Sequence, residues 1–286
     1  MKIQLAEHYG LCFGVRDAIA QAERLAAQGP LTILGELVHN PVVRERLARR
    51  GVREGALNDE SAPTPQVMIT AHGASERKRA DWRGAGFGVA DGTCPLVRHA
   101  HGQLGLLVSL GYFSVVIGKR GHVEVAGLTG DFPDAFVVEN ADDISQLPQH
   151  ERYGVISQTT QPVEKVRALV EAIRAARPES EVRFSDTVCQ PTKNRQRALR
   201  KLLAECDTIV VVGGRNSNNT AQLVTAASAA GLTVFHIERA EELEPAWFST
   251  AEKVGLTAGT STLKETVTAV HERLKEIAAS LTPATA

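Results

Sequence analysis

Three times the chain runs from a strand pattern through a single cysteine into a helical pattern. The segments are "YGLCFGVRDAIAQAERL", "DGTCPLVRHAHGQLGLLVSL" and "DTVCQPTKNRQRALRKLLAEC". Their cysteines, Cys12, Cys94 and Cys189, stand 82 and 95 positions apart, about a third of the chain each time. Around them, short β-branched runs ("LTILGEL", "QVMITAHG", "FSVVIG", "YGVISQTT", "DTIVVVGG", "LTVFHIE", "EKVGLTAG") alternate with helical stretches. That alternation predicts βαβ units with parallel sheets. The helical stretches fall at 15–27, 41–50, 97–110, 162–176, 193–205, 219–230 and 263–277. In "PVEKVRALVEAIRAA", Val163, Val166, Leu169, Val170 and Ile173 recur on one helical face. Thr262 and Glu265 have the spacing of a capping box for the last helix. The simplest division is three pseudo-equivalent α/β units over 13–93, 94–188 and 189–281. The strand within 1–12 then joins the third unit or the centre.

Lys and Arg number 32 against 33 Asp and Glu, so bulk charge recruits neither nucleic acid nor an anionic membrane. No apolar run reaches the roughly 18–20 residues of a membrane span, and "MKIQLAEHYG" turns polar too soon for a secretory signal. The expectation is a cytoplasmic enzyme, in which four cysteines serve metal binding or catalysis rather than disulfides.

Ligands of parallel α/β sheets gather at the carboxyl ends of strands. A thiol at a helix N-terminus has a lowered pKa, favouring the metal-binding thiolate. Three such thiols from three similar units converge if the units face one another. Cys206 lies late in a helix near its apolar side and is expected to be packing. His39, His72 and His122 also follow strands, with Glu124 two positions after His122. Thr159 and Thr160 end another strand. "VVVGGRNSNNTAQL" passes from two glycines through Asn216, Ser217, Asn218 and Asn219 into a helix, and Ser261 ends "GLTAGTS". Hydroxyls, amides and free backbone N–H groups at helix starts form anion sites. With three imidazoles and no Lys-bearing Walker loop, they suit a diphosphate. His8, His99, His101, His150, His236 and His271 are left as structural or surface residues.

Three thiolates leave one iron of a 4Fe–4S cubane without a protein ligand, able to bind a substrate oxygen and pass electrons. Glu124, if it lies near that site, is the candidate to deliver a proton to a leaving hydroxyl. Together these features suggest reductive removal of a hydroxyl from a phosphorylated small molecule. Two alternatives stand beside it. One is a quinolinate-synthase-like iron–sulfur dehydratase, whose carboxylate substrates call for arginine. The other is a non-enzymatic Cys/His zinc or iron–sulfur module, which has no use for Glu124 or the anion turns.

The motifs "GLCFGV", "LVHN", "AHG-S", "D-TCPLV", "GH-EV-G", "QTT", "NRQ", "VGG-NS-N" and "TAG-S" occur in the order seen in the LytB family, over residues 1 to about 275. The chain resembles that family. The resemblance implies a trefoil of three α/β units around one 4Fe–4S cluster held by Cys12, Cys94 and Cys189, with one open iron. It implies diphosphate binding by His39, His72, His122, Ser217, Asn219 and Ser261, proton relay by Glu124, and orientation of the substrate hydroxyl by Thr159. The implied reaction reduces hydroxymethylbutenyl diphosphate, with two electrons and two protons, to isopentenyl and dimethylallyl diphosphates. A ferredoxin or flavodoxin supplies the electrons. Three positions depart from the family pattern. Asn218 replaces a frequent second serine and offers the diphosphate an amide donor. Val123 replaces the common proline between His122 and Glu124. Lys193 replaces a frequent threonine and changes the charge beside Cys189.

Overall fold

A computed structural model describes residues 1–281. Its first third runs β1 (Lys2–Leu5), α1 (Phe13–Gln28), β2 (Leu31–Leu34), α2 (Pro41–Ala48), β3 (Arg53–Gly55), β4 (Gln66–Ile69), α3 (Glu76–Gly84) and β5 (Gly88–Asp91). Then follow α4 (Pro95–Ser109), β6 (Phe113–Ile117), α5 (Val123–Thr129), β7 (Phe136–Val138), β8 (Arg152–Ser157), α6 (Val163–Ala176) and β9 (Glu181–Phe184). The last part is α7 (Gln190–Glu205), β10 (Thr208–Val212), α8 (Asn218–Ala229), β11 (Thr233–Ile237), β12 (Lys253–Ala258) and α9 (Lys264–Leu281).

The strands form three four-stranded sheets, ordered β3-β2-β4-β5, β7-β6-β8-β9 and β11-β10-β12-β1. Every strand pairing is parallel. Each sheet follows one rule: the first strand of the set lies inside, the second on one edge, the third inside and the fourth on the other edge. In the third sheet the fourth place is taken by β1, which pairs with β12 from Lys2↔Lys253 to Leu5↔Leu256.

The chain divides into two compact units. One comprises Met1–Phe13, His39–Val43 and the chain from Gln190, and so holds the third sheet; the other comprises Gly14–Val38 and Arg44–Cys189, with the first and second sheets. Within the second sheet, alternation along β6 sends Val115 and Ile117 to one side and Val116 to the other. The first pair packs with Val166, Leu169, Val170 and Ile173 of α6, the stripe expected from sequence. Val116 packs with Ala100, Leu104 and Leu107 of α4 and Val125 and Leu128 of α5. The third sheet is covered likewise, by α9 on one face and by α7 and α8 on the other. Both faces being buried, the central strands read as continuous apolar runs such as "TIVVV".

The expected α/β class with small parallel sheets is the observed one. Three elements were not anticipated from sequence: β3, α3 and α5. The Thr262 capping box does not form as expected. Helix α9 opens at Lys264, and the Thr262 hydroxyl instead donates to the Val212 carbonyl of β10 at 3.0 Å.

Candidate active site

Each of the three cysteines immediately precedes a helix: Cys12 before α1, Cys94 before α4 and Cys189 before α7. All three are half-buried, whereas Cys206 is buried. Each uses its backbone N–H in the same way. Cys12 donates to the Thr260 carbonyl at 3.0 Å, Cys94 to Ala71 at 3.0 Å and Cys189 to Thr159 at 2.9 Å. Thr260, Ala71 and Thr159 each lie two residues beyond the end of the strand next to the cysteine's own edge: β12, β4 and β8. The sequence repeat is therefore a repeat of position and of hydrogen bonding.

The polar residues repeat as well. Five residues beyond the inner strands β2, β6 and β10 stand His39, His122 and Ser217, and three beyond β4, β8 and β12 stand His72, Thr160 and Ser261. Ser217 caps α8, its Oγ accepting the Thr220 N–H. His122 caps α5 with its ring: Nδ1 accepts the Glu124 N–H at 3.1 Å. An accepting Nδ1 fixes the neutral tautomer with the proton on Nε2. The His72 and His122 rings meet edge to face, with centroids 5.5 Å apart.

Glu124 is the second residue of α5 and only 2% exposed. Its Oε1 accepts the Thr159 N–H at 2.6 Å. Burial pushes its pKa up to about 7, outweighing the backbone and side-chain hydrogen bonds from Thr159, which lower it. A carboxyl poised there holds or gives up a proton near neutral pH. Asn219, second residue of α8, occupies the equivalent place in the third sheet, its Oδ1 accepting the Thr260 N–H at 3.0 Å. Two chains of contacts thus share one design: Glu124–Thr159–Cys189 and Asn219–Thr260–Cys12. Only the first carries a carboxyl.

In the unit holding the third sheet, Ser261 Oγ donates to the His39 carbonyl at 3.1 Å, and Asn40 Nδ2 donates to the Ser261 carbonyl at 2.7 Å. A Cβ on Gly214 would overlap that His39 carbonyl, so the chain passes there only with glycine. This unit gathers Cys12, His39, Ser217, Asn219 and Ser261, with Asn218 half-buried at the first position of α8. The other unit carries His72, His122, Glu124, Thr159, Cys94 and Cys189.

Sequence reasoning missed several positioning residues. Gln158 is fully buried; its Oε1 accepts the Lys119 N–H at 3.1 Å and the Gln161 amide at 2.8 Å, joining the loop before His122 to the loop of Thr159. Arg195 is 5% exposed and donates to the carbonyls of Gly10 and Pro191, bracing the turn before Cys12 against the start of α7. The motifs "QTT" and "NRQ" held both residues. Gly14 is the third: a Cβ there would run into Cys94 Sγ. Among the histidines set aside, His101 pairs with Asp131, His150 stacks on Phe113 and His236 Nε2 bonds the Gly213 carbonyl.

Cys206 packs with Leu199, Leu202 and Ile209, and burial raises its thiol pKa. Cys206→Ala is expected to cost about 1 kcal/mol of stability and to leave metal content unchanged. Iron analysis beside a thermal melt checks this, and loss of iron would show that the wrong three thiols had been chosen.

A LytB protein family model matches residues 3–275. The chain is 37% identical over 281 residues to 4-hydroxy-3-methylbut-2-enyl diphosphate reductase of Aquifex aeolicus, covering 96% of each chain. It is 35% identical to the enzyme of that name from Geotalea daltonii, covering 97% of this chain and 98% of that one. Among solved structures, the E-1-hydroxy-2-methyl-but-2-enyl-4-diphosphate reductase of Plasmodium falciparum superposes with a TM-score of 0.87 at 27% identity, over 99% of this chain and 88% of that one. A second, an (E)-4-hydroxy-3-methyl-but-2-enyl diphosphate reductase described as the terminal enzyme of the non-mevalonate pathway, gives 0.70 at 36% identity, over 96% and 100%. Matched along almost its whole length by the family and by reductases more than 30% identical to it, the chain belongs to the LytB family of reductases.

Proposed function

We propose that this reductase acts on hydroxymethylbutenyl diphosphate in the cytoplasm, removing its hydroxyl to give isopentenyl and dimethylallyl diphosphates. The observation that carries the reading is Thr159. Its N–H binds the buried Glu124 carboxylate and its carbonyl binds the N–H of Cys189. Proton source and candidate metal ligand are thereby fixed to one residue.

Cys12, Cys94 and Cys189 hold a 4Fe–4S cluster in this reading, within a trefoil of three α/β units. The donor set fits: three half-buried thiols, each at the positive end of a long helix, each with its amide tied down in the same way. Gly14 leaves the Cys94 sulfur the room a side chain would fill. When bound, such a cluster with an open iron supplies Lewis acidity and electrons. His39, His72, His122, Ser217, Asn218, Asn219 and Ser261 bind the diphosphate through imidazole, hydroxyl and amide donors. Thr159 orients the substrate hydroxyl. Glu124 delivers the proton with which the hydroxyl departs as water. Two electrons from a ferredoxin or flavodoxin and a second proton, taken up at carbon, complete the balance.

Protein prepared anaerobically is expected to hold about four irons and four sulfides per chain and to turn over hydroxymethylbutenyl diphosphate with dithionite. One zinc and no sulfide would sink the reading.

A further inference from the structure

Helix α7 starts directly after Cys189 and carries Lys193, Arg195, Arg197, Arg200 and Lys201 against one carboxylate, Glu205. Over the whole chain, 32 cations nearly balance 33 anions. The helix is therefore a local concentration of positive charge that bulk composition does not explain. Arg195 is buried and committed to backbone carbonyls. The other four face outward: Arg197, Arg200 and Lys201 are exposed and Lys193 is half-exposed. Spacings of three and four residues put Lys193, Arg197, Arg200 and Lys201 on neighbouring positions of one helix side.

At the start of the same helix opens a depression of about 300 Å³, whose lining includes Glu7, His8, Tyr9, Cys12 and Phe13 and, from α7, Asn194 and the buried Arg195. Lys201 reaches its rim and pairs with Glu7. Phe13, directly after Cys12, is 40% exposed, an open aromatic ring adjoining a candidate metal ligand. An exposed ring at one end of a helix whose outer side is cationic fits a brief encounter between proteins. The charges steer and orient the partner, and the ring allows close approach.

We infer that the depression beside Cys12, with the cationic side of α7, docks a small acidic electron-carrier protein. The inference rests on the reductase reading above, which requires electrons to arrive near a cysteine. Two reduced carriers each lose one electron. The two electrons, with two protons, turn the substrate's C–OH into C–H and water.

The test uses the full chain with its metal loaded anaerobically and an acidic 2Fe–2S ferredoxin as probe. In the double variant Arg197→Glu with Arg200→Glu, kcat/KM for reduced ferredoxin and the ferredoxin affinity are both expected to fall at least about tenfold at low salt. The salt dependence of both is expected to flatten, while turnover with dithionite stays at the wild-type rate. Unchanged ferredoxin affinity and kcat/KM would overturn the docking surface. Equal losses with ferredoxin and dithionite would overturn it too, because the damage would lie in the enzyme itself. Wild-type protein without iron or turnover would count against the reductase reading instead; the affinity measurement would still decide the docking surface.

Discussion

Glu124→Gln is expected to lower turnover about 10²–10³-fold while iron content and diphosphate affinity stay within about twofold of wild type. Glutamine keeps the length of the side chain and an oxygen to accept the Thr159 N–H, so the link to Cys189 survives. What disappears is the transferable proton. The pH profile sharpens the test. Glu124 carries its proton up to about pH 7 because burial outweighs the bonds from Thr159. Wild-type turnover should therefore decline above about pH 7, and the residual turnover of the glutamine variant should lack that limb. The sign for stability follows from the same shift. A carboxyl whose pKa is raised by folding favours the native state fully below its ordinary value of 4.5 and loses that contribution as pH rises through about 7. The variant should gain stability relative to wild type between pH 5 and pH 8, measured by thermal melts. Wild-type turnover in the variant, or an unmoved limb, would remove Glu124 from the proton step.

Gly14→Ala is expected to cost the protein its iron before it costs the fold. A Cβ at this position would overlap Cys94 Sγ and press on Cys94 Cβ at 3.2 Å. Overpacking of a rigid core costs about 1–3 kcal/mol. Here the obstructing atom is the end of a side chain with a single torsion, which yields by rotating. Alanine also gains up to about 1 kcal/mol over glycine within a helix. The two effects nearly offset, so melting should move by no more than a few degrees. The displaced sulfur, however, no longer occupies its place, and iron and sulfide are expected to drop well below wild-type levels. Iron retained in full by a well-folded variant would show that the Cys94 sulfur has no fixed position to defend.

The parts of the fold legible in the sequence were those with a strong period. The α6 stripe and runs such as "TIVVV" announced themselves because burial on one or both faces leaves a regular pattern. Helix α3, "ERKRADWRG", buries only Arg79 and Trp82, so its sequence shows almost no apolar side. Helix α5, "VEVAGLT", has seven residues and buries several faces, too short a span for a period to register. β3, "REG", is a three-residue edge strand with no apolar residue. At the site, the placing of cysteines and histidines after strands was readable from spacing. The burial of Glu124 was not, because it depends on the loop of Thr159, more than thirty positions away in the chain. Nor did the sequence reveal that Asn219 answers to Glu124, since one side chain is charged, the other neutral, and only the backbone amides they accept make them equivalent. Thr262 misled for a similar reason: its hydroxyl had a better partner in the neighbouring strand than in its own helix.

The closing of the third sheet by β1 has a consequence for how the protein is made. Lys2 leaves the ribosome long before its partner Lys253 does. The first and second sheets complete from contiguous stretches as they emerge. The third is complete only once β1, made much earlier, has docked on the β12 edge. Cys12 travels on that same segment, so its N–H finds the Thr260 carbonyl only after β12 has formed. If Cys12, Cys94 and Cys189 hold a cluster as proposed, a nascent chain cannot engage it through all three sulfurs before β12 is in place.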